Sequence, residues 1–267
     1  MNSSATELAS VDGRISPTAE ATVPMQDDGL YRGDGAFEVI RLYEGHPFAL
    51  TDHLDRLEHS AAKIELDVDR ASLEREIKAL LSEFGAADGQ LRLLVTRGGR
   101  RIAVTEPLPG RAEAIRLATV TFSPSVVLTG VKSLSYAANM QATRLAQGQG
   151  AEEAVLVTPD GTVLEAPTST IFWVSPQGRL RTPSLESGVL DSITRARIVA
   201  ALEVEQGAWP VADLRAAREA FLASTTREVQ SVSEIDGSEL PEAPGARTTE
   251  AVEAFANTLR RELHERV

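Results

Sequence analysis

The sequence predicts a mixed α/β protein, α+β in the ordering of its elements, and three observations predict it. Short alternating or continuous apolar runs have the length and period of strands: FEVIRLYE (37–44), QLRLLVT (90–96) and EAVLVT (153–158). Longer runs such as RASLEREIKALLSEF (70–84) carry apolar residues at three- and four-residue spacing, the pattern of an amphipathic helix. A chain of 267 residues, 42% hydrophobic and 25% charged, is long enough to bury one large core or two small ones.

The elements follow in order. MNSSATELAS (1–10) is a polar, flexible tail with no apolar leader, and VDGRISP begins a strand through a turn. After strand 37–44, EGHP is a turn. Thr51 then stands where it would cap a helix in which Leu50, Leu54, Leu57, Ala61 and Ile64 keep helical spacing. A second helix spans 70–84. Strands are expected at 90–96 and 113–121, with RGGRR a basic loop between them. SPSVVLTG reads as a linker. Beyond it come a helix at 134–147, strands at 153–158 and 162–165 around a PDG turn, and the strand IFWVS with the hairpin turn SPQGR. A helix at 192–205, a run at 218–224 leading into a strand, and a helix at 248–264 complete the chain. The division is a tail 1–10, an N-terminal α/β domain 11–122, a linker 123–131 and a C-terminal domain 132–267.

Charge and composition exclude several function classes. A net charge of -12, with arginines scattered among acids, leaves no basic patch for nucleic acid. The absence of cysteine removes disulfides, thiolate catalysis and Cys-ligated metals, and fits a cytoplasmic protein. His53 and His59 are not spaced i,i+4, so no metal site is expected. No apolar run approaches the roughly 20 residues of a membrane span.

Lysine usage singles out one position. Among 27 Lys+Arg, only Lys63, Lys78 and Lys132 are lysine. Lys63 and Lys78 lie in charged helical runs, where a solvated lysine is expected. Lys132 lies in GVKSLSYAANM, after the apolar SVVLTG and before a helical pattern. An amine can lose its proton and form a Schiff base, and a guanidinium cannot. Other residues draw notice with it. Glu165, in TVLEAPTST, is a carboxylate at a strand end. Arg56 on its helix face reads, taken alone, as a surface ion-pair partner, and Tyr136 as a core tyrosine. Ser192, Ile193 and Thr194 open a helix, whose N–H groups form an anion site; Ser192 equally fits a plain N-cap.

Four sets of segments, in this order and spacing, resemble the class IV aminotransferases, the fold-type IV enzymes of pyridoxal 5'-phosphate (PLP). They are QDDGLYRGDGAFEVIR (26–41); LTDHLDRLEHSAAKI (50–64); GVKSLSYAANMQATR (130–144) with GTVLEAPTSTIFWV (161–174); and VLDSITRARIV (189–199) with LASTTREVQSV (222–232). The resemblance covers about residues 10 to 260. It implies a small N-terminal α/β domain, a larger barrel-like C-terminal α/β domain, PLP in the cleft between them, and a homodimer. It makes Lys132 the Schiff-base lysine, which also moves a proton during catalysis. It assigns Glu165 to the pyridine nitrogen and Tyr136 to the cofactor O3'. Arg56, the helix start at Ser192 with the backbone of Ile193 and Thr194, and the Thr225 hydroxyl fall to the phosphate.

The sequence also departs from its relatives. Many carry an aromatic before GDG, where this chain has Arg32. An arginine there offers a fork to a substrate carboxylate, unless it turns outward and Tyr31 takes the aromatic's place. TRGGRR resembles the TRG loop with which D-amino acid transaminases anchor a carboxylate, although no histidine follows; Arg97, Arg100 and Arg101 are candidates for that task. STTREV, whose Thr226 is a candidate substrate contact by this resemblance, is closer to the STTSEV of that group than to the SGTAAE of branched-chain enzymes. KSLSYAANM and LEAPTS also resemble branched-chain and lyase sequences. The expected activity is transfer of an amino group from a D-amino acid, with (R)-amines as side substrates, to a 2-keto acid such as 2-oxoglutarate or pyruvate. The alternatives are a branched-chain L-amino acid aminotransferase and 4-amino-4-deoxychorismate lyase.

Overall fold

A computed structural model describes residues 7–264, and its packing divides the chain into two units. The first unit comprises residues up to Gly110 together with Val131–Tyr136; the second comprises Arg111–Gly130 and the chain from Ala137 onward.

In the first unit, β1 (Leu8–Val11) and β2 (Arg14–Pro17) form a hairpin, so only residues 1–6 of the expected tail lie outside the described residues. A short helix, α1 (Asp28–Arg32), leads into β3 (Gly35–Tyr43) and the two-residue β4 (His46–Pro47). Helices α2 (Leu50–Lys63) and α3 (Arg70–Phe84) precede β5 (Gly89–Thr96) and β6 (Arg101–Glu106). The strands pair antiparallel in the order β2-β1-β6-β5-β3-β4. Ile40 and Leu42 of β3 and Leu91 and Leu93 of β5 pack on Leu54 and Leu57 of α2 and Leu73, Ile77 and Leu80 of α3. Each fully buried side chain of this kind contributes about 1.5–3 kcal/mol of transfer free energy.

Two details differ from the sequence reading. Thr51 does not cap α2: Ala49 is the N-cap, without a side-chain bond, and Thr51 is an exposed residue of the first turn. The helix begins earlier because Phe48 is tied to β3 through its N–H to the Arg41 carbonyl, 2.9 Å. β6 is a further strand, where the basic loop shortens to a turn. Its first arginine is neutralised by Glu76, 2.8 Å, so the charge does not oppose pairing.

In the second unit the strands are β7 (Ala114–Thr121), β8 (Glu153–Val157), β9 (Thr170–Val174), β10 (Leu180–Pro183), β11 (Glu205–Gly207), β12 (Glu219–Ser224), β13 (Glu228–Ile235) and β14 (Ser238–Glu239). The helices are α4 (Ala137–Gly148), α5 (Ile193–Ala201), α6 (Val211–Arg215) and α7 (Ala246–His264). The mixed sheet runs β11-β10-β9-β12-β13-β7-β8, with β14 beside β13. β8 and β9 are buried at every position, as strands covered on both faces are. Ile115, Val155, Ile171, Trp173 and Leu222 line one face; Ala118, Val120, Ala154 and Leu156 line the other with Ala142 and Ala146 of α4. The expected strand 162–165 is a short partner of β8, through Leu164 N–H to Leu156 O and Leu156 N–H to Glu165 O, both 2.9 Å. α5 stops at Ala201 because Leu202 turns extended, and 205–207 becomes β11, parallel to β10.

The unit boundary differs from the division at 123–131. β7 pairs with β13 and β8, so 111–122 belongs with the second unit. Residues 131–136 add to the edge of β3 and belong with the first.

Candidate active site

In the first unit, Lys132 is held by backbone bonds on both sides. Its carbonyl accepts from Phe37 N–H at 3.0 Å, and its own N–H donates to Ser60 Oγ at 3.1 Å. Ser133 bridges Ala36, and Leu134 N–H bonds Gly35 O at 2.9 Å. This addition to β3 needs a strand without a side chain at its start. A Cβ on Gly35 would stand 2.3 Å from Val95 O and 2.6 Å from Leu134 Cδ1. Gly33 ends α1 in the left-handed region, φ 68°, with Ser135 close by. These two requirements account for both glycines of GDG.

The Lys132 amine lies 4.4 Å from the Phe37 ring centroid and 5.9 Å from that of Tyr136. The two rings meet edge to face at 5.3 Å. Aromatic faces attract the ammonium form and leave the amine in partly apolar surroundings. Lys132 and Tyr136 are thus brought together.

Arg56, His53 and Ser60 share one face of α2, at helical spacing. Arg56 donates from Nε to Glu38 Oε1 at 2.7 Å and from Nη2 to Glu38 Oε2 at 2.8 Å. His53 Nδ1 lies 2.8 Å from the same Oε2. Glu38 and His53 are inaccessible to solvent. Burial would raise the Glu38 pKa, but the Arg56 charge and hydrogen bonds and the His53 hydrogen bond hold it at about 2. His53 is pushed down chiefly by burial, with the Arg56 and Lys132 charges adding and Glu38 opposing. Glu38 is therefore ionised and His53 neutral at pH 7, with Nδ1–H the donor. His53 Nε2 is buried without a hydrogen-bond partner among the described residues. Sequence reasoning assigned no role to Glu38 or His53. The available signal was an acid between Phe37 and Ile40 in an apolar strand, with a histidine three residues before Arg56.

The arginines expected to meet a carboxylate stand apart from this cluster in their bonding. Arg32 is 71% exposed in its side chain and pairs with Asp28, one helical turn away. Arg97 donates to Asp34 and to the carbonyls of Ile64 and Glu65 at the end of α2. Arg100 pairs with Asp12 at 2.5 Å, and Arg101 with Glu76. Tyr31 is also exposed, so neither Tyr31 nor Arg32 is packed inside the first unit.

In the second unit, Glu165 is half-buried and its Oε1 accepts from Leu190 N–H at 3.1 Å. That bond ties the carboxylate to the segment preceding α5. Ser192 caps α5, its Oγ accepting from Arg195 N–H at 3.3 Å, and Ile193 and Thr194 are buried in the first turn. Arg195, also buried, donates to Pro183 O and Gln206 Oε1 and locks the helix start against β10 and β11. Thr225 and Thr226 are half-buried in the loop 225–227, closed by the Ser224↔Glu228 pair, with Glu228 at φ 56°. Arg227 anchors this loop to Gln230 at 2.9 Å and to the buried Glu153 at 2.5 Å. In the small polar run after Glu165, Ser169 Oγ and Thr170 Oγ1 are buried without partners among the described residues. No helix is long and apolar enough to cross a membrane, and no group of three or more His, Cys, Asp or Glu suited to a metal occurs among the described residues.

The sequence model of the amino-transferase class IV family matches residues 35–235. The chain is 32% identical to a D-alanine aminotransferase of Bacillus licheniformis, over 93% of this chain and 95% of that protein. It is 28% identical to an aminodeoxychorismate lyase of Bacillus subtilis, over 96% of each. Its fold matches a fold IV transaminase from Curtobacterium pusillum with a TM-score of 0.83, at 27% identity, over 94% of this chain and 99% of that one. A branched-chain aminotransferase from Thermoproteus uzoniensis matches with a TM-score of 0.86, at 28% identity, over 96% of each. The PLP-bound form of a hypothetical aminotransferase from Mycobacterium tuberculosis matches equally, 0.86, at 26% identity, over 95% of this chain and 98% of that one.

Each unit carries donors whose chemistry fits PLP: the first an amine able to bond an aldehyde and a guanidinium suited to a phosphate, the second a carboxylate suited to a pyridinium and hydroxyls buried without partners among the described residues. With its family motifs spread over both units and its fold shared across almost the whole length, the chain belongs to the class IV aminotransferases, PLP-dependent enzymes of fold type IV.

Proposed function

We propose that this aminotransferase moves the amino group of a D-amino acid, of the D-alanine or D-glutamate type, to pyruvate or 2-oxoglutarate, with (R)-amines as side substrates. Bound PLP supplies the electron sink. Lys132 holds the cofactor and carries a proton at Nζ once substrate has displaced it. Glu165 keeps positive charge on the pyridine nitrogen. Arg56, the first turn of α5 from Ser192 through Thr194, and Thr225 bind phosphate, and Tyr136 orients the ring. The observation that carries the chemistry is the amine of Lys132 set 4.4 Å from Phe37 on a doubly tethered backbone.

D-specificity is supported by the similarity to D-alanine aminotransferases and by the STTREV loop, with Thr226 beside Thr225. Arg32 is the proposed carboxylate contact. Its pair with Asp28 is exposed, and such a pair contributes only about 0–1 kcal/mol, so it exchanges readily for a substrate carboxylate. Arg97 and Arg100 act on the fold's own carboxylates and enter substrate binding only by giving these up. The active species is proposed to be a cytoplasmic homodimer.

A single-turnover absorbance experiment tests the substrate assignment. Holoenzyme mixed with D-alanine should lose its visible band and release pyruvate, while L-leucine leaves the band unchanged. A response to L-leucine alone would mark a branched-chain enzyme. Pyruvate release from aminodeoxychorismate, with no keto-acid acceptor needed, would mark a lyase.

A further inference from the structure

We propose that Glu38 and His53 are positioning residues for phosphate recognition: Glu38 fixes the direction of the Arg56 guanidinium, and His53 fixes Glu38. The proposal rests on the assignment of Arg56 to the cofactor phosphate.

The geometry is specific. Glu38 lies on β3 immediately after Phe37, and His53, Arg56 and Ser60 lie on the facing side of α2. Ser60 receives the Lys132 N–H, so one helix face carries both the candidate phosphate arginine and a tether of the candidate catalytic lysine. The Glu38 carboxylate accepts at both oxygens, from Arg56 Nε, Arg56 Nη2 and His53 Nδ1, at 2.7, 2.8 and 2.8 Å. A guanidinium is planar. With Nε and Nη2 held on one carboxylate, the direction of Nη1 is set as well.

Other arginines also hold carboxylates, as Arg197 forks onto Glu262 and Arg70 bonds Asp55, Glu58 and Glu74, but each of those acids keeps contact with solvent and Glu38 keeps none. An ionised carboxylate with no solvent access is strongly disfavoured unless its lone pairs are matched, and removing one partner leaves the rest uncompensated. Around His53 the facing charged groups are Glu38 from β3, Arg56 from its own helix and Lys132 from the 131–136 segment. With neutral His53, the charges of Glu38 and Arg56 cancel. The pair therefore meets a phosphate by direction rather than by net charge, with the arginine's rotamers already fixed.

Equilibrium binding of PLP and of pyridoxal, the same aldehyde without phosphate, tests this. Each is titrated into apoenzyme and followed by absorbance, without substrate. Wild type should prefer PLP strongly. Arg56→Gln should lose most of that preference, which checks the underlying assignment. Glu38→Gln and His53→Leu should each lower the preference by about tenfold or more while pyridoxal affinity stays within about threefold. His53→Asn, which keeps a donor near the Nδ1 position, should restore it. His53→Leu leaves Glu38 and Arg56 paired, so it carries the test if Glu38→Gln does not fold. Equal losses for both ligands would show a merely structural role and overturn the proposal. A tighter PLP complex in Glu38→Gln would overturn it too, because Glu38 would then act only as a counter-charge. Arg56→Gln retaining the preference would overturn the Arg56 assignment and the proposal with it. Loss in Arg56→Gln with full retention in Glu38→Gln would overturn the proposal alone.

Discussion

Glu38 is a buried acid whose ionisation is tied to folding, and its partners give that tie a sign. Its ordinary pKa of 4.5 falls to about 2 in the folded chain. Between those values the unfolded chain binds the proton more readily, so stability rises with pH and is lost as pH falls from 4.5 toward 2. His53 acts in the same direction from a higher starting point. Its pKa is depressed from 6.5, so the folded state resists a proton that the unfolded state accepts below that pH. Chemical denaturation of apoenzyme across pH 7 to 3 should show stability falling in two stages. His53→Leu should remove the first stage, and a profile unchanged by that substitution would contradict the account. The residue scale also shows how far the sequence could be read. Lys132 stands out because its local surroundings do not explain a lone lysine there, whereas Glu165 and Arg56 stand out only through the family motifs that carry them. Glu38 and His53 did not, because their meaning lies in a contact across 15 residues that neither segment carries by itself.

At the scale of elements, α2 carries His53, Arg56 and Ser60 on one face, and its end is informative. Ile64 is the C-cap and Glu65 follows at φ 53°. Leu66 N–H reaches back to Ala61 O at 2.9 Å and Glu65 N–H to Ala62 O at 3.1 Å, the bond pattern that usually places glycine where Glu65 stands. Arg97 compensates by donating to the Ile64 and Glu65 carbonyls. Glu65→Gly should therefore stabilise the protein by about 0.5–1 kcal/mol, measured by denaturant unfolding, by relieving left-handed backbone strain. Destabilisation would mean that the Glu65 side chain contributes more than its backbone costs. Periodicity locates α2 and α3, with 70–84 matching α3 at both ends, but not the five-residue α1, which is too short to show a helical period. It missed β6 because Arg100 and Arg101 read as a solvated loop, whereas Asp12 and Glu76 neutralise them at the strand's start. Side-chain capping chemistry points to Thr51, whereas the chain enters α2 through Ala49 without a side-chain cap.

For the whole molecule, two sheets built on different rules carry the residues that the family motifs single out. An antiparallel sheet with α2 and α3 carries Lys132, Tyr136 and Arg56; a mixed sheet with α4 and α5 carries Glu165, the Ser192 cap and Thr225. Linear order suggested a division just before Lys132. Packing groups 131–136 with the first unit instead, because those residues complete the edge of β3. That grouping was illegible in the sequence, since a short strand addition has no period of its own. The family chemistry requires that one of the chain's three lysines, and no other, bind the cofactor covalently. Borohydride reduction of the holoenzyme, followed by peptide mass mapping, decides it. A reduced pyridoxyl group is expected on the peptide containing Lys132, with none on Lys63 or Lys78 and none in Lys132→Ala. Label on either other lysine, or undiminished label in Lys132→Ala, would contradict it.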